Sequence, residues 1–261
     1  MNIKVIVVTH KEYWMPDDDI YLPVYAGAEG QLDNSSLPPD HKYAMDNTGD
    51  NISSKNRNYC ELTGLYWAWK NLDAEYIGIA HYRRHFTLRN RGDKKQRPIT
   101  RPELESLLVD NDVIFPKKRN YFIETNYSQY VHAHHEADLA ATREIISEKH
   151  PGYLASYDAI MKRTYGHRFN MFIMKRDKFD AYCGWLFDIL FELERRLDIS
   201  GYNDNDARVF GFVGERLLDV WLETNDIAYK DIPYVFMEEQ NWVVKGTNFM
   251  RRKFRAENGQ V

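Results

Sequence analysis

The chain has 261 residues, enough for one large α/β domain with a substantial core. Its net charge of −4 at pH 7 argues against a general nucleic-acid binder, and no apolar run reaches the roughly 20 residues that a membrane-spanning helix needs. Two cysteines, Cys60 and Cys183, are too few for a cysteine metal site, and their apolar helical contexts suit buried, reduced thiols in a cytoplasmic protein.

In chain order, the β-branched run "IKVIVVTH" (3–10) reads as a buried strand rather than a secretory signal, having one lysine and no small-residue cleavage site. "IYLPVYAGA" (20–28) is a second extended piece that Pro23 confines to an edge or a strand start. Residues 29–50 are dense in Gly, Asp, Asn, Ser and Pro and read as a long irregular loop. In "NRNYCELTGLYWAWKNL", Leu62, Leu65, Tyr66 and Trp69 recur at the spacing of one helix face. A short apolar strand at 76–80 follows, then the basic loop 89–98 and a helix that Thr100 caps and Pro102 opens. "DVIFP" (112–116) is another strand, and "YSQYVHAHHEADLAATREIISEKHPGY" reads as one long helix stopped near Pro151. A strand in "RFNMFIMKRDKF", two further amphipathic helices and a terminal strand in "IAYKDIPYVFM" complete the pattern. Strands alternating with helices predict a mostly parallel sheet, with ligands at the C-terminal strand ends.

"YIGIAHYRRHF" (76–86) delivers His81, Arg83, Arg84 and His85 to such an end. Guanidinium groups there recognise phosphate through forked, charge-assisted bonds, and strand alternation sends His81 and Arg83 to one side and Tyr82 and Arg84 to the other. One arginine and one histidine are therefore expected to face a ligand. "QYVHAHHEADL" sets His134 and Asp138 four residues apart, one face of a helix, as a proton-transfer or a structural pair. "DND" (204–206) fits an Asp-x-Asp cation site, yet no apolar strand precedes it and helix capping explains it as well. Glu215 follows two glycines near a helix start, where backbone could approach a substrate. His10 and Lys11 after the first strand, with Asp50, Asn51 and Asn56, are candidates for nucleotide and sugar contacts, as is Asn170, a polar residue opening an apolar strand.

The stretches "VVTHK", "DNTGDNISSKNRNYCELTGLYWAWKN", "YIGIAHYRRHF", "QYVHAHHEADL", "NMFIMKRDKFDAYCGWLF" and "RVFGFVGERLLDVWL" occur in this order and span residues 3–240. Together they resemble the bacterial galactofuranosyltransferases of capsule, exopolysaccharide and O-antigen loci. The resemblance implies a GT-A-like α/β fold over residues 1–245 with a charged tail at 246–261. It also implies UDP-galactofuranose as donor, a polyprenyl-diphosphate-linked glycan as acceptor, and transfer with inversion.

Where GT-A enzymes commonly carry Asp-x-Asp, this strand end carries His-Tyr-Arg-Arg, so no metal or other cofactor is expected. The donor set is then His10, Lys11, Asp50, Asn51, Asn56, His81, Arg83, Arg84, Asn170 and Arg208. His134 and either Asp138 or Glu215 are left for proton transfer, and Tyr59, Tyr66 and Trp67 for an acceptor wall, with Tyr66 fitting the core better. Two alternatives stand: a transferase of UDP-galactopyranose or UDP-glucose that uses a metal at Asp204 and Asp206, and a non-catalytic phosphate- or glycan-binding protein. Peripheral contact with the inner membrane face is expected through the basic loop 89–98 or the tail cations 251–255.

Overall fold

The computed structural model describes residues 1–30 and 42–238, so parts of the predicted loop 29–50 and the whole tail 246–261 lie outside the described residues. β1 (Ile3–Thr9) is central, and β2 (Tyr21–Tyr25) pairs parallel to it. Among the described residues, β3 (Ala44–Met45) covers only Val24 and Tyr25 of β2 and leaves Pro23 unpaired on that side, in keeping with its missing N–H. Next come α1 (Asn56–Tyr59), α2 (Leu62–Asn71), β4 (Tyr76–His81) and β5 (Arg84–Phe86). α3 (Arg101–Leu108) starts with a capping box in which Thr100 and Glu103 satisfy each other's end of the helix. β6 (Val113–Pro116), β7 (Arg119–Asn120), α4 (Asn126–Val131), α5 (Glu136–Lys149) and α6 (Leu154–Lys162) follow. The chain continues through β8 (Tyr165–Gly166), β9 (Phe172–Lys175), α7 (Arg176–Arg196), α8 (Val209–Thr224), β10 (Lys230–Ile232) and β11 (Tyr234–Phe236).

The main sheet runs β10-β6-β9-β4-β1-β2-β3, with β5 and β11 attached at the β4 end. It is mostly parallel, and β9 runs antiparallel to both β4 and β6. Both faces are buried, so the strands lack polar alternation. Ile6, Val8, Ile77, Ile79, Phe172 and Met174 pack under α2, α7 and α8, while Ile3, Val5, Val7, Tyr76 and Ile173 pack on the α3 side.

Three sequence expectations change. The predicted long helix is two helices, because residues 132–135 leave helical geometry between α4 and α5. His134 and Asp138 therefore do not share a continuous helix face. "YIGIAHYRRHF" is a hairpin in which Tyr82 and Arg83 form the turn and His81 lies opposite Arg84, so simple alternation does not apply. The terminal strand is split in two at Pro233, β10 pairing with β6 and β11 with β5.

Between β8 and β9 sits a buried polar knot. His167 is fully buried, with Nδ1 at 2.5 Å from Asp219 of α8 and Nε2 at 2.9 Å from Asp231 of β10, and its backbone N–H also donates to Asp219. Burial alone would lower the imidazole pKa, but the two carboxylates outweigh it and hold the pKa above 6.5. Burial likewise would raise Asp219, and the bonds from His167 outweigh it to hold the carboxyl below 3.8.

The imidazolium contribution is complete below pH 6.5 and fades as pH rises through the raised value. The Asp219 contribution is complete above pH 3.8 and fades on acidification. Urea unfolding across pH should therefore give maximal stability between these limits. His167→Gln, which breaks a buried pair, should cost about 3–5 kcal/mol and remove the decline above pH 6.5. Gly78, mid-β4, supplies a second check. A Cβ there would stand 2.8 Å from Ile173 and 3.1 Å from Val5, so Gly78→Ala should lower stability by about 1–3 kcal/mol in the same assay.

Candidate active site

β1, β2 and β4 are parallel and in register, so the chain leaves all three at one edge of the sheet. A cavity of about 350 Å³ opens there. Val8, Thr9 and His10 come from the end of β1, Ala26 from the end of β2, and His81, Tyr82 and Arg83 from the β4–β5 hairpin. Asn56, Arg57, Cys60 and Glu61 arrive on α1 and the turn after it, and Asp204 and Arg208 on the segment before α8.

Two local arrangements hold this wall. Asp46 is buried and accepts the N–H groups of Gly27 and Ala28 at 2.9 and 3.0 Å and the hydroxyl of Ser53, which ties the β2 exit to the turn preceding α1. Gly27 has φ +77° and a Cβ would meet Asn56 at 2.7 Å, so only glycine lets the β2 exit pass this close to the cavity wall. Cys60 ends α1 at φ 53°, an uncommon conformation for a side chain with a Cβ, and its Sγ accepts from Nε of Arg208 at 3.1 Å. Contrary to the sequence reading, this thiol lines the cavity, although burial still pushes its pKa up to about 11. Cys183 is buried as expected.

The lead-in to β9 closes the floor. Phe169 and Asn170 both have positive φ, 78° and 49°. The turn aims the Phe169 carbonyl at Nε2 of His81, offers the Phe169 N–H to Glu215 at 3.2 Å, and sends Nδ2 of Asn170 to Glu61 at 2.7 Å. Oδ1 of Asn170 is buried without a partner among the described residues. Glu61 is thus a half-buried carboxylate in the cavity, held on one oxygen by an amide, and burial raises its pKa above 4.5. Sequence reasoning missed it. The available signal was that Glu61 is the sole acid between Asn56 and Asn71, in an otherwise apolar and aromatic stretch.

The cluster at the end of β4 divides its labour. Burial, then the Arg84 charge, push His81 down to about 4, so it is neutral at pH 7, and Nε2–H donates to the Phe169 carbonyl. His85 is buried in the core beside Trp14 and Tyr21 and is likewise pushed down to about 4 by burial. The histidines thus add no positive charge, and the cations are arginines. Arg83 lines the cavity, 3.5 Å from Glu238 and over the Tyr82 ring. Arg84 is half-buried and lies over the rings of Phe169 and Phe236 at 4.3 and 5.1 Å. Arg57 and Arg208 line it as well. His10 at the mouth has its pKa lowered by burial and then by Lys11, Arg83 and Arg208, a record of how much positive charge converges there.

Of the residues singled out in the sequence, His10, Asn56, Cys60, His81, Arg83, Asp204 and Arg208 line this cavity. Lys11 lies at its edge over the Tyr82 ring, and Arg84, Asn170 and Glu215 stand immediately behind it. Asp50 and Asn51 do not line it. Asp50 accepts from the Tyr66 hydroxyl and its backbone binds Asn71, while Asn51 bridges Gly49 and Ser53 within its own turn. Asp138 is buried elsewhere, with one oxygen taken by the Tyr130 hydroxyl at 2.7 Å and the other by the Tyr202 hydroxyl at 2.6 Å. His134 pairs with Asp206 at 3.0 Å and stacks on Phe212, and does not pair with Asp138.

The glycines before Glu215 serve packing: Gly211 admits Cys60 and Gly214 admits Leu62 against α8. Tyr59 is fully buried, its hydroxyl on Glu194 and Leu190, Tyr66 packs against Trp69 and Phe187, and Trp67 donates to Thr48, so none forms a wall of the cavity. Within "DND", Asp204 turns to Arg57 at 2.9 Å and Asp206 to His134, while Asn203 accepts the N–H groups of Asn205 and Asp206. Among the described residues, no three His, Cys, Asp or Glu side chains converge as a metal-ligand set.

Comparison with known proteins agrees with this architecture. The solved apo structure of WbbM, a bifunctional glycosyltransferase, superposes with a TM-score of 0.82 at 27% sequence identity, covering 92% of this chain. The matched region is 46% of that chain, so the protein spans about half the length of this neighbour. No curated protein sequence matches. Residues 4–226 match the family described as a domain of unknown function, DUF4422, and the chain belongs to that family.

Proposed function

We propose that this chain is a glycosyltransferase that moves a galactofuranosyl residue from UDP-galactofuranose to a hydroxyl of a lipid-linked surface-polysaccharide acceptor. The observation that carries the reading is the cavity at the ends of β1 and β4, where Arg57, Arg83 and Arg208 converge. A nucleoside diphosphate leaving group needs positive charge, and fixed guanidinium groups supply it directly through short charge-assisted bonds. The likeness to WbbM supports glycosyl transfer, and the motif resemblance supports the furanose donor. The engagement of Asp204 by Arg57 and of Asp206 by His134 favours transfer without a divalent ion over the metal-dependent alternative.

The step proposed is a single displacement. The acceptor oxygen bonds to the anomeric carbon, the bond from that carbon to the diphosphate oxygen breaks with its electron pair passing to UDP, and the acceptor proton passes to a carboxylate. Glu61 fits that last role. It lies in the cavity, is oriented by Asn170, and has its pKa raised toward the working pH. Glu215, behind Phe169, supports the turn and balances Arg84. The two phenols on Asp138 make it a structural residue in this scheme.

Release of UDP should be measured with UDP-galactofuranose, UDP-galactopyranose and UDP-glucose, each with and without EDTA. The furanose is expected to be preferred and the rate to survive EDTA, and loss of rate restored by Mn²⁺ would overturn the metal-free scheme. Arg83→Ala and Arg208→Ala should each weaken UDP binding about 10- to 100-fold by calorimetry, the value of a hydrogen bond to a charged group. Glu61→Gln keeps an acceptor for Asn170 and should lower kcat by about 10²- to 10⁴-fold with UDP affinity retained. The acid limb of the wild-type kcat profile should lie above pH 4.5, because Glu61 must lose its proton to act and its pKa is raised, and the variant should lack that limb.

A further inference from the structure

Away from the cavity, the strands β7 and β8 form a separate two-stranded antiparallel sheet, Arg119 opposite Gly166 and Asn120 opposite Tyr165. The chain leaving β7 makes a short apolar prong. Phe122 is 81% exposed and Ile123 69%, with Tyr165 and Tyr127 partly exposed beside them. The prong is built rather than loose. The Phe122 N–H donates to Oδ1 of Asn120, Tyr121 N–H to the Thr164 carbonyl and Asn126 N–H to the Arg163 carbonyl, and Phe122 is held at φ 62°. A large aromatic side chain in that conformation, turned into water, is costly on two counts.

Cations flank it: Arg119 on β7, Lys117 and Lys118 in the connection from β6, and Lys162 and Arg163 in the chain leading to β8. The nearby acids are engaged, Glu223 by Arg163 at 2.5 Å, Asp158 by Arg143 at 2.7 Å and Glu124 by His132 at 2.8 Å. Lys117, Arg119 and Lys162 are exposed, and none forms a close ion pair among the described residues, Lys162 facing only Asp158, which Arg143 already holds. On the same face, α4, α5 and α6 enclose a hollow of about 530 Å³ lined by Tyr127, Leu139, Tyr157, Met161 and Lys162.

We propose that the apolar prong of Phe122 and Ile123, with its ring of Lys117, Arg119 and Lys162, docks this protein on an anionic phospholipid bilayer. Aromatic and aliphatic side chains enter the headgroup boundary while cations beside them meet lipid phosphates, a combination that neither a neutral bilayer nor a purely polar partner rewards. The site differs from the loop 89–98, where Arg89 is paired with Glu103 and Lys94 with the Met237 and Glu238 carbonyls. The inference does not depend on the catalytic reading, since its readout is lipid binding.

The full chain should co-sediment with vesicles of phosphatidylglycerol and phosphatidylcholine and stay in the supernatant with phosphatidylcholine alone. Lys117→Ala, Arg119→Ala and Lys162→Ala together should weaken binding about a hundredfold, at roughly fivefold per cation. Phe122→Asn with Ile123→Ser keeps a residue that tolerates the left-handed backbone and should abolish binding with an unchanged melting curve. Three results would overturn the proposal: no vesicle binding by the full chain, binding equal in both variants and wild type, or loss of binding only when the cations at 89–98 or 251–255 are replaced. Concentration-dependent self-association that disappears in the Phe122 and Ile123 variant, without vesicle binding, would assign the prong to a second copy and also overturn it.

Discussion

A buried histidine clasped between two carboxylates holds the segment from which the candidate site is built. His167 is clasped by Asp219 and Asp231, and Arg168, also buried, bonds the side chains of Asn126 and Tyr121. With residues 167 and 168 fixed from α8, β10, α4 and the prong loop, the next two residues take left-handed backbone conformations that neither Phe nor Asn would adopt freely. Their reversed backbone is what presents the Phe169 carbonyl to His81, its N–H to Glu215 and the Asn170 amide to Glu61. Three side chains of the site, from three elements distant in sequence, take their positions from one short turn.

The electrostatic design follows from the same burial. Desolvation turns His81 neutral and raises Glu61, and it leaves the arginines, which cannot shed their protons at any working pH, as the dependable positive charge. The cavity therefore combines permanent cations on its walls with a carboxylate of adjustable protonation on its floor. That separation lets one site attract an anion and still handle a proton.

Much of this was legible in the sequence. The apolar runs of β1, β4 and β9 announce strands buried on both faces, Thr100 and Glu103 announce the start of α3, and the basic end of "YIGIAHYRRHF" points to the correct edge of the sheet. What escaped has physical reasons. Periodicity cannot see a turn only two residues long, so the placing of Arg83 and Arg84 rests on a strand alternation that ends at His81. A helix pattern continues through "YVHAHHEAD" because each residue tolerates helix, and only tertiary bonds, the phenols of Tyr130 and Tyr202 on Asp138 and the pairing of His134 with Asp206, favour the break. The direction of β9 is equally silent in sequence. Because it runs antiparallel, its N-terminal lead-in reaches the edge where its parallel neighbours end; polarity alone points to Asn170 there, while the part played by the Phe169 backbone leaves no trace in the sequence.

The stacking of Arg84 has a consequence of its own. Its guanidinium is spread over the faces of Phe169 and Phe236, contacts that depend on a flat, delocalised cation and that a compact, strongly hydrated ammonium does not reproduce. Exchange for lysine would preserve formal charge while unseating two rings, one of which belongs to the turn that orients the floor of the cavity. In this position the shape of the cation, more than its sign, is what the packing requires.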